Sequence, residues 1–108
     1  YNFASPWFAL NRDNHRRYKR GTMQEKQNLL NRIMVGNILS MAKGLGRVIT
    51  TRLTAEVHVR EQPVRFKGHE MLCFRGRFKV NCKIPSYVGV GKSVSRGFGT
   101  IVRGKSCS

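Results

Sequence analysis

Arg47-Val48-Ile49-Thr50-Thr51-Arg52-Leu53-Thr54-Ala55-Glu56-Val57-His58-Val59-Arg60 is where the periodicity of this chain changes. Upstream of it apolar residues recur every three or four positions. Within it they alternate, with Ile49, Thr51, Leu53, Ala55, Val57 and Val59 on one face and Thr50, Arg52, Thr54, Glu56, His58 and Arg60 on the other. A period of two is the mark of a half-buried antiparallel strand. Residues 71–84 repeat the pattern: Leu72, Phe74, Gly76, Phe78, Val80, Cys82 and Ile84 face inward, while Arg75, Arg77, Lys79 and Lys83 line the other side. Between the two runs Gln62-Pro63 reads as a turn, Val64 and Phe66 resume the alternation, and Lys67-Gly68-His69 interrupts it again.

The segment before the change is helical by the same reasoning. Thr22-Met23-Gln24-Glu25 is a capping box, in which the Thr22 hydroxyl accepts from the Glu25 N–H and the Glu25 carboxylate reaches back. From there Leu29, Leu30, Ile33, Met34, Ile38, Leu39, Met41, Ala42 and Leu45 form one apolar stripe. Gly44 and Gly46 can end the helix, and Gly36 in its middle reads as a place where the helix packs closely on a sheet. Nearer the start, Ser5-Pro6-Trp7-Phe8-Ala9-Leu10-Asn11 reads as an edge strand or the start of one, with Trp7 as a core anchor rather than a base-stacking platform. Residues 12–21, with Arg12, Arg16, Arg17, Lys19 and Arg20 around His15 and Tyr18, read as a solvated basic loop or a frayed turn. Pro85 ends the second long strand, residues 86–95 leave room for one short helical turn, and residues 99–103 form a last short strand. Residues 105–108 read as a loose tail. The order is β-α-β-β-(turn)-β: an α+β, ferredoxin-like sandwich whose antiparallel sheet carries one main helix and a reduced second one.

Composition narrows the partner. A chain of 108 residues buries about 60–65% of its unfolded surface, enough for one modest core and not a second. Twenty-one Lys and Arg against five acids give a net charge of +16, which favours a polyanion. Nucleic acid fits best. A membrane surface fits poorly, because the cations are spread over loops and strands rather than along one amphipathic helix, and no run is long and apolar enough to span a bilayer. Cys73, Cys82 and Cys107 are odd in number and lack metal or redox spacing, which points to cytoplasmic thiols. Cys73 and Cys82 fall on opposite strand faces and cannot be bridged. No metal site or cofactor is expected. The chain opens at Tyr1 with residues that resemble a domain interior, and so reads as a segment of a longer polypeptide.

The chemistry concentrates in Gly89-Val90-Gly91-Lys92-Ser93-Val94-Ser95-Arg96-Gly97-Phe98-Gly99, two Gly-hydrophobic-Gly triplets bracketing two cations and two hydroxyls. Glycines let backbone N–H groups approach a phosphate, and Lys92, Arg96, Ser93 and Ser95 supply charge and donors. A Walker A loop fails because Ser86 stands where its first glycine belongs and no acid follows to hold magnesium; the dinucleotide fingerprint fails at Val94. Arg96-Gly97-Phe98-Gly99 matches the start of the RNP1 consensus, but too few residues follow for the helix and strand that motif requires. The ladder Arg75, Arg77, Lys79 and Lys83 has no interleaved acids and repeats every ~6.6–6.8 Å for alternate residues along one face, close to a nucleic-acid backbone step. His15, His58 and His69 are the available proton carriers near neutral pH, and none is placed as a catalyst.

The glycine-rich segment resembles that of the CRISPR repeat-processing endoribonucleases of the RAMP superfamily. The likeness extends to residues 5–11, 36–46 and 78–101, and is to the C-terminal half of those enzymes. It implies a C-terminal ferredoxin-like domain over residues 1–108, part of a two-domain protein of antiviral defence. Such a protein binds CRISPR repeat RNA and cleaves it without metal, the 2′-OH attacking the adjacent phosphate to leave a 2′,3′-cyclic phosphate. By position it implies RNA contacts at Gly89, Gly91, Lys92, Ser93, Arg96, Gly97 and Gly99, to which charge and spacing add Ser95, Arg75, Arg77 and Lys79. The family's catalytic histidine belongs to the first domain, so no catalytic residue carries over. A CRISPR effector complex, or a reverse transcriptase and integrase fused to the same polypeptide, are the further partners implied. The alternative is a non-catalytic RNA-binding or ribonucleoprotein-assembly module.

Overall fold

In the computed structural model the elements run β1 (Asn2–Phe3), α1 (Arg12–Arg20), α2 (Met23–Gly44), β2 (Ala55–Phe66), β3 (His69–Val80), a 3-10 turn (Val94–Arg96) and β4 (Ile101–Val102). The structure describes residues 1–50, 52–85 and 87–104. The readings placed on Thr51, Ser86, Cys107 and the tail at 105–108 lie outside the described residues. The sheet order is β2-β3-β1-β4, with antiparallel pairing throughout. β1 and β2 both run against β3 between them, which makes the helical crossover a split β-α-β unit and the fold the expected ferredoxin-like sandwich. Among the described residues the second crossover is reduced to the 3-10 turn.

Helix α2 starts as its capping box dictates, with the Glu25 N–H donating to Thr22 Oγ1 at 3.2 Å and the Thr22 N–H donating to Glu25 Oε1 at 3.2 Å. Leu30, Met34, Ile38 and Ala42 are its buried stripe, laid on the sheet face that carries Phe3, Val57, Phe74, Phe78 and Ile101. Each of these burials contributes about 1.5–3 kcal/mol, except Ala42, whose single methyl contributes less. Trp7 is fully buried at the centre, stacked on Phe3 with centroids 5.3 Å apart and donating its indole N–H to Asn37 Oδ1 on α2 at 3.0 Å. The hairpin register runs from Ala55 opposite Val80 to Phe66 opposite His69, turning at Lys67-Gly68, both at positive φ.

Five readings of the sequence require correction. Residues 12–20 are not a loop but helix α1: Asn11 caps it by accepting from the Asn14 N–H at 2.8 Å, and Tyr18 anchors it in the core. Its polar run offered no apolar period to detect. The strand at 5–11 is instead β1 at Asn2–Phe3, a central rather than an edge strand; Pro6 marks the bend after which Trp7 rejoins Phe74 by paired N–H···O bonds of 2.7 and 2.9 Å. Gln62-Pro63 does not turn, because β2 is the outer strand of the sheet and an edge tolerates a missing N–H. Of the strand read over 47–60, the structure forms only Ala55 onward: β3 ends at Val80, and the Asn81 side chain takes over, accepting from the Thr54 N–H and donating to the Arg52 carbonyl, each at 2.9 Å. Gly36 is exposed with open space where its Cβ would stand, so no close packing explains it.

Candidate nucleic-acid interface

The sheet face opposite α2 is the one that strand alternation fills with cations. Arg75, Arg77 and Lys79 on β3 are exposed there, in register with Arg60, His58 and Glu56 on β2. Arg60 stands directly opposite Arg75, a like-charge pair that costs stability unless an anion neutralises it. These two arginines, with Glu61, Gln62 and Gly76, border an open hollow of about 420 Å³. His58 leans on Glu56 within this face, Nε2 to Oε1 at 3.0 Å.

Toward the hairpin tip the glycine-rich loop covers the same face. The two Gly-hydrophobic-Gly triplets lie side by side: the Val90 N–H donates to the Gly99 carbonyl at 3.0 Å, and the Ile101 N–H donates to the Val88 carbonyl at 3.0 Å. Residues 6–8 strap the loop down, Pro6 accepting from the Gly99 N–H at 2.7 Å and Phe8 from the Lys92 N–H at 2.9 Å. The hydrophobic member of each triplet points inward. Val90 joins the main core, whereas Phe98 packs edge-on against Phe66 at 5.6 Å and Phe8 at 6.2 Å. With Cys73, buried on the same face, these rings make a small satellite cluster beyond the single core that chain length led one to expect.

Several of the loop glycines are required by the protein itself. A Cβ at Gly91 (φ +93°) would lie 2.8 Å from the Phe8 carbonyl oxygen and from Trp7 Nε1, and one at Gly99 (φ +70°) would collide with the Val90 carbonyl. Gly99 is buried, and Gly89 is half-buried against Val94. What remains at the surface is Lys92, Ser93, Ser95, Arg96 and Gly97, of which Ser93 is the most covered. Ser93 takes a left-handed conformation (φ 57°, ψ 35°) immediately before the right-handed 3-10 turn. Such a left-right pair turns successive N–H groups into one concavity, the backbone nest that holds anions. Among the described residues none accepts from the N–H of Ser93, Val94 or Ser95, whereas those of Lys92, Arg96, Gly97, Phe98 and Gly99 are already satisfied. The phosphate-seeking donors therefore narrow to three consecutive amides.

The flanking cations are held in place by rings. Lys92 Nζ sits 4.9 Å from the Phe8 centroid, and the Arg96 guanidinium carbon 5.4 Å from that of Phe66. Each contact contributes about 0.5–1 kcal/mol at exposed sites and restrains a long side chain beside the nest. Arg96, over Phe66, thus stands on the sheet face of the β3 ladder, which begins two residues beyond buried Cys73, whereas Lys92 lies toward helix α1. The aromatic support was missed in the sequence because Phe8, Phe66 and Phe98 are far apart in the chain. So was the pairing of Arg60 with Arg75, which depends on a register that a turn at Gln62-Pro63 would have broken.

Elsewhere, His15 lies on α1 and His69 at the hairpin tip. Burial pushes the Cys73 and Cys82 thiols up, and both cysteines are free. Among the described residues no helix is long and apolar enough to cross a membrane.

A family model described as the Cas6b C-terminal domain matches residues 1–104. An uncharacterized protein of Methanocaldococcus jannaschii is 44% identical over 104 residues, covering 95% of this chain and 71% of that protein. A crystal structure of Cas6b superposes with a TM-score of 0.89 at 46% identity, over 94% of this chain and 59% of that one. A second, of the CRISPR RNA processing endoribonuclease Cas6b, gives a TM-score of 0.90 at 46% identity, over 94% of this chain and 52% of that one. The chain thus spans a little over half the length of these solved chains.

Proposed function

The chain belongs to the Cas6b C-terminal domain family, and we propose that it is the RNA-gripping half of a two-domain endoribonuclease that processes CRISPR repeat RNA. The observation that carries this reading is the nest at Ser93, Val94 and Ser95, flanked by Lys92 and Arg96, with Arg96 on the sheet face that also carries Arg75, Arg77 and Lys79. The three amides suit the non-bridging oxygens of one phosphodiester, and the two cations suit the charge of that phosphate and one neighbour. The ladder then tracks the neighbouring phosphates.

In the reaction we assign, the 2′-oxygen of one ribose attacks the adjacent phosphorus, the bond to the 5′-oxygen breaks, and a 2′,3′-cyclic phosphate remains. The 2′-proton leaves to a base and the 5′-oxygen takes one from an acid, with no metal needed. This domain's part is positioning: fixing phosphates beside the scissile bond restricts the strand to geometries in which attack is in line. No residue of this chain is assigned a proton transfer. The work belongs to the cytoplasm, and a CRISPR effector complex or a fused reverse transcriptase and integrase would receive the product.

Lys92→Ala with Arg96→Ala, measured on the full-length protein, tests the reading. Repeat-RNA affinity should fall, and its salt dependence should flatten by about 0.7 per lost single-strand phosphate contact. A 2′-deoxy substitution at the cut site should abolish cleavage while leaving binding intact. An unchanged salt slope, or cleavage of the deoxy substrate, contradicts the proposal.

A further inference from the structure

A second groove adjoins the nest's loop at Lys92 and lies between helix α1 and the start of β3. It measures about 570 Å³, and its walls include Arg12, His15 and Arg16 from α1, Glu70 and Leu72 from β3, and Lys92 from the glycine-rich loop. Arg12, His15 and Arg16 stand at i, i+3 and i+4 and so share one helix face. Phe8 and Met71 add apolar surface to the lining. Arg12 occupies the first turn of α1 beside Asp13, where a cation opposes the helix dipole. An anion bound there would relieve that opposition.

Resting on the reading above, we propose that this groove seats a further nucleotide of the same single-stranded RNA, its phosphate on Arg12 and Arg16 and its base on the Phe8–Met71 surface. A cationic rim over an apolar floor is what a nucleotide requires, since its charge and its flat apolar ring point in different directions. Glu70 would repel a phosphate placed against β3, and offers an acceptor to an exocyclic amino group instead. Lys92 borders both the nest's loop and the groove, so one cation joins the two sites and sets the direction of the strand: out of the nest, past Lys92, and along α1.

The test measures binding of labelled single-stranded oligoribonucleotides of increasing length to the full-length protein at several salt concentrations. Arg12→Gln with Arg16→Gln is compared with Lys19→Gln with Arg20→Gln, which removes the same charge from the same helix outside the groove. The groove predicts a salt slope lower by up to ~1.4 in the first pair, two contacts at about 0.7 each, and little change in the second. It also predicts an affinity plateau at shorter oligomers in the first pair only. Equal losses in both pairs, or none in either, overturn the proposal while leaving the nest reading standing. Failure of the unmodified protein to bind RNA sinks both. As a variant-independent check, 4-thiouridine placed along the RNA should cross-link to peptides containing Phe8 or Met71; cross-links confined to the glycine-rich loop and sheet ladder overturn the groove alone.

Discussion

Replacing Gly99 by Ala separates glycines that the fold requires from glycines that only the loop conformation requires. Gly99 sits at φ +70°, and its missing Cβ would collide with the Val90 carbonyl. The conformational cost of a side chain there is about 1–2 kcal/mol. The collision also strains the Val90 N–H to Gly99 carbonyl bond of 3.0 Å and the Gly99 N–H to Pro6 carbonyl bond of 2.7 Å. Weakening both adds about 1–2 kcal/mol, giving about 2–4 kcal/mol in all. Gly97 has φ +93° and nothing within 4 Å of its Cβ position, so Gly97→Ala carries the conformational cost alone, about 1–2 kcal/mol. At about 4–8 °C per kcal/mol for a domain near this size, the two substitutions should lower Tm by clearly different amounts. Trp7, the single tryptophan and fully buried, reports the urea or thermal transition by its fluorescence. A Gly99→Ala protein no less stable than Gly97→Ala would refute the assignment of Gly99 to internal packing.

Gly36→Ala should stabilise the protein by about 1 kcal/mol, because the site is helical, exposed and open, and only the propensity difference remains; an unchanged or lower midpoint in urea counts against it. Asn37→Ala leaves the Trp7 indole N–H without its acceptor, and should cost about 1–3 kcal/mol, less a few tenths recovered in helix propensity. Tyr18 is held up at about 12 by burial first and by the Glu61 carboxylate second, so its phenolate absorbance should appear well above pH 10, and Glu61→Gln should bring it down part of the way. Because the folded state holds this proton more tightly than the unfolded one, the stability it contributes is complete below pH 10 and should fall as pH rises from 10 toward 12.

Most of the topology could be read from local signals that act through few neighbours. The Thr22–Glu25 capping box, the stripe through Leu30, Met34 and Ile38, the Lys67-Gly68 turn and the alternation of Phe74 and Phe78 against Arg75 and Arg77 each fix a backbone conformation by themselves. The exceptions depended on partners distant in sequence. Pro63 reads as a breaker until β2 is known to be an edge, and residues 47–54 read as strand until β3 is known to end before reaching them. Helix α1 is set by its Asn11 cap and one buried ring, Tyr18, which periodicity cannot register. At the interface, the cations and the glycine spacing were visible in the sequence. That Gly91 and Gly99 serve contacts with Phe8, Trp7 and Val90, leaving three amides free, followed only from how residues 6–8 strap the loop.

The most direct measurement follows the backbone amide resonances of Ser93, Val94 and Ser95 as single-stranded repeat RNA is added. The account predicts large, saturable shifts at these three, with smaller ones at the satisfied amides of Phe98 and Gly99, and loss of the effect at high salt. RNA that binds while these three amides stay in place would contradict it.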